Sequence, residues 1–210
     1  MGTIDKGVRV LEAVTGGPRS LADLVEATGL SRATAHRLAV ALEVHGLLRR
    51  TPDGRFALGL RLVGLGRAAA EALPLAEAAA PALDELRAVT EESVQLYVRE
   101  GDHRVCVASL ESPHGLRTIV AMGAALPLDR GSAGRVLTAD GGSATGRWVD
   151  SVEERERGVA SVSAPVLDAD GAVLAAVSVS GPIERTTRSP GARYGAAVEA
   201  AARRIEAELS

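Results

Sequence analysis

The chain of 210 residues is poor in aromatic side chains and in cysteine, and it has no long apolar run. Aromatic residues make up 2% of the sequence, so we do not expect a surface that stacks its rings on single-stranded nucleic acid. The single cysteine, Cys106, cannot form an internal disulfide, which fits a reducing compartment. There is no apolar stretch of about 18 residues and no signal-peptide core at the start. We therefore expect a cytoplasmic protein that makes no contact with a membrane.

The net charge of −3 conceals an uneven distribution along the chain. Residues 1–67 contain ten Lys or Arg and six Asp or Glu, whereas the remaining residues contain fourteen and twenty-one. A basic N-terminal part attached to an acidic remainder is typical of a DNA-binding domain fused to a sensor domain. Random segregation of surface charge is the alternative, and charge alone leaves both open.

Three helices followed by a hairpin are predicted in the first sixty residues. Apolar residues recur at helical spacing in residues 4–14. Ser20 is a suitable N-cap for a helix over 21–28, and Ser31 is one for a helix over 32–45. Two short strands around an Asp-Gly turn then predict a hairpin. Together these elements outline a winged helix-turn-helix domain over residues 1–59.

The remainder of the chain predicts a connecting helix and an α+β domain. The connecting helix is expected over residues 59–73, ended by Pro74, so that residues 60–75 link the two domains. A helix over 76–92, strand-like segments and an amphipathic C-terminal helix follow in residues 76–210, and these favour a mainly antiparallel sheet. The strand-like segments are residues 93–100, 104–111, 117–122, 160–167 and 172–180, the last helix covers 191–209, and a flexible loop is expected over 140–147.

The third helix and the hairpin carry the residues that we expect to contact DNA. The apolar positions of this helix form an i, i+3, i+4, i+7 stripe, which leaves a polar face near its N-terminal end for the major groove. An arginine there can donate two hydrogen bonds to a guanine edge, and hydroxyls at the helix start can hold a phosphate. A solvated arginine-rich face is the alternative. The candidate DNA-binding residues are Ser31, Arg32, Thr34, His36, Arg37, Arg49, Arg50 and Arg55.

Runs of residues along nearly the whole chain resemble the IclR family of bacterial transcription regulators. In the N-terminal part these runs are Asp5-Lys6 to Leu11, Ser20-Leu21-Ala22-Asp23-Leu24, Thr28-Gly29-Leu30-Ser31, Thr34-Ala35-His36-Arg37-Leu38 and Asp53-Gly54-Arg55-Phe56-Ala57-Leu58-Gly59. In the C-terminal part they are Leu126-Pro127-Leu128, Gly131-Ser132-Ala133-Gly134, Ser163-Ala164-Pro165-Val166 and Val177-Ser178-Val179-Ser180-Gly181-Pro182. Within the family, Gln95-Leu96-Tyr97 and residues 158–166 resemble most the NdgR/LtbR-type branch.

The resemblance implies a homodimer or dimer of dimers that binds palindromic double-stranded DNA through its winged helix-turn-helix. It also implies a GAF-like C-terminal domain for a small-molecule effector, and the branch suggests control of amino-acid metabolism, leucine especially. The family's pocket positions correspond here to Ser132, Ala133, Ser161, Ser178 and Ser180. This chain departs from the family pattern in two places. Members that bind small carboxylates often have an acidic residue or a cysteine in this pocket, and this chain has Ser161 at the position of the cysteine. The stretch between Leu137 and Glu153 is short and rich in glycine, whereas the family usually has a longer stretch with a helix.

The residues alone also favour a ligand site. Ser178 and Ser180 lie two apart in a predicted strand, so both hydroxyls face one side of the sheet. Beside the glycine-rich start of a helix at residues 131–134, they can hold a small carboxylate. Serines that face solvent on a half-covered sheet are one alternative. Another is a DNA-binding protein whose C-terminal domain only oligomerises.

Catalysis and metal binding are disfavoured by the sequence, and no cofactor is expected. Cys106 with His103 or His114 is the strongest candidate for a nucleophile and base. A cysteine between Val105 and Val107 in a strand pattern is, however, more often a packing residue. The four histidines show no close ligand spacing, and a single cysteine cannot complete a zinc site. Residues 130–135 have neither P-loop nor dinucleotide-fingerprint spacing.

Overall fold

A computed structural model describes residues 2–71, 74–138 and 147–209 and divides the chain into two compact units, residues 1–72 and 73–210. The first unit contains four helices and a two-stranded hairpin. These elements are α1 (Thr3–Ala13), α2 (Leu21–Thr28), α3 (Arg32–Val44), β1 (Leu48–Arg50), β2 (Phe56–Leu58) and α4 (Arg61–Glu71).

Serine caps start the second and third helices, as the sequence predicts. Ser20 Oγ accepts a hydrogen bond from Asp23 N at 3.2 Å, and Asp23 Oδ2 accepts one from Ser20 N at 2.9 Å, which completes a capping box. Ser31 Oγ accepts a bond from Thr34 N at 3.4 Å at the start of α3. Gly29 ends α2 with φ 63°, a conformation that favours glycine. The caps therefore fix where the two helices of the helix-turn-helix begin.

The hairpin closes one side of a small core made by the three helices. β1 and β2 pair antiparallel with Leu48 opposite Leu58, and Arg19 adds a third strand position through two backbone bonds to Phe56. A Cβ at residue 59 would overlap the Gly46 carbonyl, so only glycine fits at the end of the wing. The sequence pattern did not reveal the contribution of Arg19. The buried core residues of this unit are Val10, Val14, Leu24, Leu30, Ala35, Ala39, Leu48 and Phe56.

The second unit is a six-stranded antiparallel sheet with helices on both faces. The order of its strands is β5-β4-β3-β8-β7-β6. The mainly antiparallel α+β class predicted from the sequence is thereby confirmed. Its elements are α5 (Pro74–Thr90), β3 (Ser93–Glu100), β4 (His103–Leu110), β5 (Ala125–Pro127), α6 (Ser132–Thr138), β6 (Val149–Val152), β7 (Val159–Leu167), β8 (Val173–Pro182), α7 (Ile183–Thr186) and α8 (Pro190–Leu209).

The two faces of this sheet differ in chemistry because side chains alternate along each strand. One face packs on α5 and α8 through apolar residues, among them Val177 and Val179. On the opposite face, Ser178 and Ser180 alternate with those valines, and β7 places Ser161 opposite Ser180 and Ser163 opposite Ser178. One face therefore builds the core, and the other presents a row of hydroxyls near α6.

One of the predicted strands is wrong. Residues 117–122 pair with no strand in the described part of the chain and form an extended loop. Ser93 Oγ donates a hydrogen bond to the Thr118 carbonyl at 2.6 Å, and Val120 packs beside Cys106, so side-chain contacts replace a strand ladder. The loop expected over 140–147 falls, except for Arg147, outside the described residues, and β6 follows directly after them.

Candidate nucleic-acid interface and effector pocket

The N-terminal half of α3 projects its polar side chains outward. Ala35 and Ala39 are fully buried against α1 and α2, whereas Arg32, His36 and Arg37 on the other side are exposed. Within the described residues, the guanidinium groups of Arg32 and Arg37 make no hydrogen bond or ion pair. Both side chains are therefore available to donate to an acceptor from outside the unit.

The first turn of α3 adds two hydroxyls to this edge. Ser31 Oγ donates to Thr34 Oγ1 at 2.9 Å while it accepts from the Thr34 amide. Thr34 Oγ1 can donate onward to a phosphate oxygen, next to the free amides at the helix start. Ser31 and Thr34 therefore lie together in the first turn of α3, and their contact with phosphate stays a prediction.

The arginines of the hairpin differ from one another in their partners. Arg49 is exposed and has no ion pair among the described residues. Arg50 pairs with Glu43 at 3.2 Å and stacks over the Phe56 ring at 4.3 Å from its centroid, and Arg55 pairs with Asp53 at 3.0 Å. The last two arginines therefore also stabilise the wing, and a phosphate would have to share or displace their carboxylates.

The five predicted effector residues line a single pocket on the polar face of the sheet. Seven further residues complete its wall. The pocket encloses about 20 Å³ of free space, which is room for about one water molecule. The lining residues are Ser132, Ala133, Ser161, Ser178 and Ser180 from the prediction, with Gln95, Tyr97, Arg104, Gly131, Ser151, Arg155 and Val159 in addition.

A chain of hydroxyl groups joins α6 to strands β6 and β7 in this pocket. Ser132 Oγ lies 2.8 Å from Ser161 Oγ and 2.7 Å from Ser163 Oγ. Ser161 Oγ lies 3.0 Å from Ser151 Oγ, which accepts a bond from Ser132 N at 3.1 Å. Because hydroxyls both donate and accept, this network can exchange one of its internal bonds for a bond to a ligand oxygen.

Three buried polar residues of the pocket, Gln95, Arg104 and Ser151, were missed at the level of sequence. Gln95 and Arg104 are 1% and 3% exposed, and each keeps one nitrogen without a partner. The signal for Gln95 was a polar residue between Val94 and Leu96 in a strand. No comparable signal marks Arg104. This residue lies in β4, and β4 is brought near β8 only when both strands flank β3 in the folded sheet.

Tyr97 and Arg104 form the base of the pocket. The guanidinium carbon lies 5.5 Å from the centroid of the Tyr97 ring. Burial raises the pKa of the Tyr97 phenol well above its usual value, so the ring stays neutral under ordinary conditions. Of these two side chains, Arg104 is therefore the charged one.

Cys106, the candidate nucleophile, is a packing residue. Its side chain is fully buried, and burial raises the pKa of the thiol to about 11. His103, the first residue of β4, is exposed. A protonated thiol that water cannot reach is a poor nucleophile.

In the described ranges 2–71, 74–138 and 147–209, no three His, Cys, Asp or Glu side chains are grouped closely enough to hold a metal ion. Among the described helices, none combines the length and the apolarity required to cross a bilayer.

A helix-turn-helix with a wing, followed by an antiparallel-sheet domain, defines a class of two-domain transcription regulators, and comparison with known proteins identifies the family. The chain matches the IclR helix-turn-helix domain over residues 3–52 and the C-terminal domain of bacterial IclR transcriptional regulators over residues 67–147 and 143–207. It therefore belongs to the IclR family of DNA-binding transcription regulators, and its matched domains are those of regulators and not of enzymes.

Individual relatives agree with this assignment. The glycerol operon regulatory protein of Streptomyces griseus is 28% identical over 217 positions that cover 87% of this chain and 85% of that protein. Because 217 positions exceed the 210 residues of this chain, the alignment includes positions at which this chain has no residue.

Two solved structures share the fold. An IclR transcriptional regulator from Alicyclobacillus acidocaldarius has a TM-score of 0.79 and 21% identity, with 99% of this chain and 98% of that chain covered. An IclR homologue from Microbacterium hydrocarbonoxydans, complexed with 4-hydroxybenzoate, has a TM-score of 0.78 and 23% identity, with 99% of each chain covered.

Proposed function

We propose that this regulator is ligand-responsive, that it binds a pseudo-palindromic operator as a dimer or dimer of dimers, and that its effector is an amino acid or small organic acid. The observation that carries the proposal is the convergence of Ser132, Ala133, Ser161, Ser178 and Ser180 on one pocket. Side chains from α6, β7 and β8 meet there although up to 48 residues separate them along the chain. Convergent polar groups in a concave site are typical of small-ligand recognition.

The structural relative from Microbacterium supports an acid as the chemical class. That protein was solved with 4-hydroxybenzoate, an aromatic carboxylate. The present pocket has hydroxyl, amide and guanidinium donors that suit a carboxylate. Its free volume is small, so a ligand of that size would have to displace part of the serine network.

For DNA, we propose that Arg32 and Arg37 read bases while Ser31, Thr34, His36, Arg49, Arg50 and Arg55 hold phosphates or flank the contact. The exposed N-terminal edge of α3 and its unpaired arginines support this division. We further propose membership of the NdgR/LtbR-type branch, control of amino-acid metabolism genes and a cytoplasmic location. The branch rests on Gln95-Leu96-Tyr97 and residues 158–166.

A titration of the full chain tests the ligand response. Isothermal calorimetry against the amino acids and a panel of small organic acids, 4-hydroxybenzoate included, is expected to give saturable binding for at least one class. Ser178→Ala should weaken that binding, whereas Ser189→Ala, a substitution of an exposed serine outside the pocket, should not. No heat from any acid would contradict the proposal.

The second candidate function, a regulator whose C-terminal domain only oligomerises, is favoured by the nearly filled pocket. Gel shifts on the native operator region with and without each bound acid separate the two. A ligand-responsive regulator changes its DNA affinity when the acid is added, whereas a purely oligomerising domain leaves it unchanged.

A further inference from the structure

The pocket contains a buried cation that forms no salt bridge with any carboxylate of the described residues. Arg104 is 3% exposed, and its Nη1 donates to the carbonyl oxygens of Pro127 and Arg130. Its Nε has no hydrogen-bond partner, and no carboxylate of the described residues lies within salt-bridge distance of the guanidinium. Burial of a charge is costly unless an opposite charge or a full set of hydrogen bonds compensates it. Two carbonyl oxygens and the face of the Tyr97 ring hold this guanidinium in place.

A second unsatisfied donor lies in the same wall. Gln95 Oε1 accepts a hydrogen bond from Ser180 Oγ at 3.0 Å, but Gln95 Nε2 has no partner although the residue is 1% exposed. Gln95 and Tyr97 share one face of β3, and the guanidinium of Arg104 lies over Tyr97. Native proteins rarely leave buried donors unpaired without a reason such as a missing ligand or water.

The charged side chains that line the pocket have one sign, although the Glu154 carboxylate accepts a hydrogen bond from the amide of the lining residue Gly131 at 3.0 Å. Arg155 is the other titratable cation that lines it, and its nearest carboxylate, Glu156, is 3.9 Å away. No Asp or Glu belongs to the lining. The unit as a whole is acidic, so this concentration of positive charge is local and creates an attractive site for an anion.

We propose that Arg104 and Gln95 are the residues that select the ligand of this pocket, and that they require an anionic group, a carboxylate, which accepts from Arg104 Nε and Gln95 Nε2. The inference rests on the proposed ligand response and adds the residues that determine its selectivity. A carboxylate supplies the negative charge that the guanidinium lacks, and its two oxygens can accept from unsatisfied donors of this kind. A neutral analogue of the same shape leaves the guanidinium uncompensated, and sites of this kind reject such analogues strongly.

Pairs of an acid and its amide test the proposal on the unmodified protein. Acetate and acetamide, benzoate and benzamide, 4-hydroxybenzoate and 4-hydroxybenzamide, and leucine and leucinamide are titrated at constant ionic strength. The acid of any binding pair is expected to bind at least roughly tenfold more tightly than its amide. Equal binding of acid and amide would overturn the selectivity assigned to Arg104 and Gln95 while leaving the ligand response intact. An absence of binding by acids, amides and every other ligand tried would instead refute the proposed ligand response itself.

Variants then assign the selectivity to the named residues. Arg104→Gln should lose the discrimination between acid and amide, whereas Arg99→Gln should retain it. Arg99 is the matched control, since it lies directly opposite Arg104 in the β3–β4 ladder and is exposed. Retention of full discrimination by Arg104→Gln would overturn the assignment.

A folding defect in Arg104→Gln would also abolish the discrimination, because Arg104 holds the loop after β5. Gln95→Glu is the second variant, and it leaves Arg104 in place. A carboxylate at position 95 has nearly the shape of the glutamine and places in the same pocket lining the negative charge that the bound acid would otherwise bring. This variant should melt no lower than the wild type and should lose acid affinity by roughly tenfold or more. Wild-type affinity for the acid in a folded Gln95→Glu protein would contradict the inference.

Discussion

Single residues in this protein decide which face of an element packs into a core and which face stays polar. In β8, Val177 and Val179 enter the apolar core while Ser178 and Ser180 enter the pocket, so a shift of register by one residue would exchange the two roles. In α3, Ala35 and Ala39 allow close packing on the supporting helices and direct Arg32 and Arg37 outward. The small side chains are therefore as important for the proposed contacts as the polar ones.

At this scale, Arg37→Ala and Arg49→Ala should weaken DNA binding in different ways. If Arg37 pairs with a guanine edge, its loss should cost about 1–3 kcal/mol on the cognate site and much less on a scrambled one. Loss of Arg49 should weaken binding to both duplexes equally and reduce the salt dependence, because a phosphate contact is independent of sequence. Gel shifts on both duplexes at two salt concentrations measure this. Equal losses for Arg37→Ala on the two duplexes would exclude base reading.

The sequence predicts these residue roles where the information is local. Ser31 is recognisable as a cap, and the alternation from Val177 to Ser180 reveals which side chains share a face. Gln95 and Arg104 are not recognisable in the same way, because their places in the pocket depend on the pairing of β3 with β8 and on the loop after β5. Contacts between strands distant along the chain leave no periodic trace in it.

Among the elements, the two serine-capped helices of the first unit have different expected functions. Ser20→Ala removes the side-chain acceptor of the capping box of α2. Ser31→Ala removes the side-chain acceptor at the start of α3. Each should lower the free energy of unfolding by about 1 kcal/mol. Only Ser31→Ala should also lower DNA affinity, since Ser31 is the proposed phosphate contact. Urea denaturation and gel shifts on the same samples measure both effects, and a similar loss of DNA affinity in Ser20→Ala would argue against a specific role for Ser31.

The same cap gives a dependence on pH. Hydrogen bonds from the Ser20 backbone and side chain hold the pKa of Asp23 below its ordinary value of 3.8. Because the folded-state pKa is lowered, the cap contributes fully above that ordinary value and its contribution falls as the pH drops below it. Ser20→Ala should therefore show a smaller loss of stability between neutral pH and pH 3 than the wild type does.

In the second unit, α8 has a slot for the single tryptophan of the chain. Trp148 packs across Gly191 and Gly195, and a Cβ at residue 195 would lie 2.6 Å from the indole Nε1. Gly195→Ala should therefore destabilise the unit by about 1–3 kcal/mol through overpacking and change the fluorescence of Trp148. Gly115→Ala is the control, because no atom lies within 4 Å of its Cβ position. Unchanged melting and emission in Gly195→Ala would show that the slot tolerates a methyl group.

Elements were predicted well where caps and periodicity mark them and poorly where they are short. α2 begins and ends at the predicted residues, and α3 differs by one residue at its end. β5 and β6 have three and four residues and escaped the sequence pattern, whereas residues 117–122 imitated a strand. A short edge strand is defined by its hydrogen bonds to the neighbouring strand, which the sequence pattern does not show. Alternation of apolar and polar residues over six positions also arises in a loop that buries a side chain such as Val120.

For the whole molecule, the opposite charges of the two parts of the sequence have a functional consequence. The first 67 residues have an excess of basic groups, and the remainder has an excess of acidic groups. DNA attracts the former and repels the latter, so electrostatics alone favour approach through the winged helix-turn-helix. This preferred orientation does not depend on the DNA sequence. Specificity for an operator must therefore come from base contacts and from the spacing of its two half-sites.

The proposed dimer makes that spacing a geometric prediction. Two recognition helices in successive major grooves require half-site centres one turn of DNA apart, about 10–10.5 bp, or a multiple of it. Inserting about 5 bp turns the second half-site to the opposite side of the duplex, so affinity should fall to that of a duplex with one half-site. Inserting about 10 bp returns the second half-site to the original side of the duplex and changes only the distance between the two half-sites. Gel shifts with the operator, the two insertions and the single half-site measure this series. Equal affinity for the operator and the 5 bp insertion would mean that the chain binds each half-site independently, and the dimeric arrangement would be wrong even if every contact proposed for α3 were right.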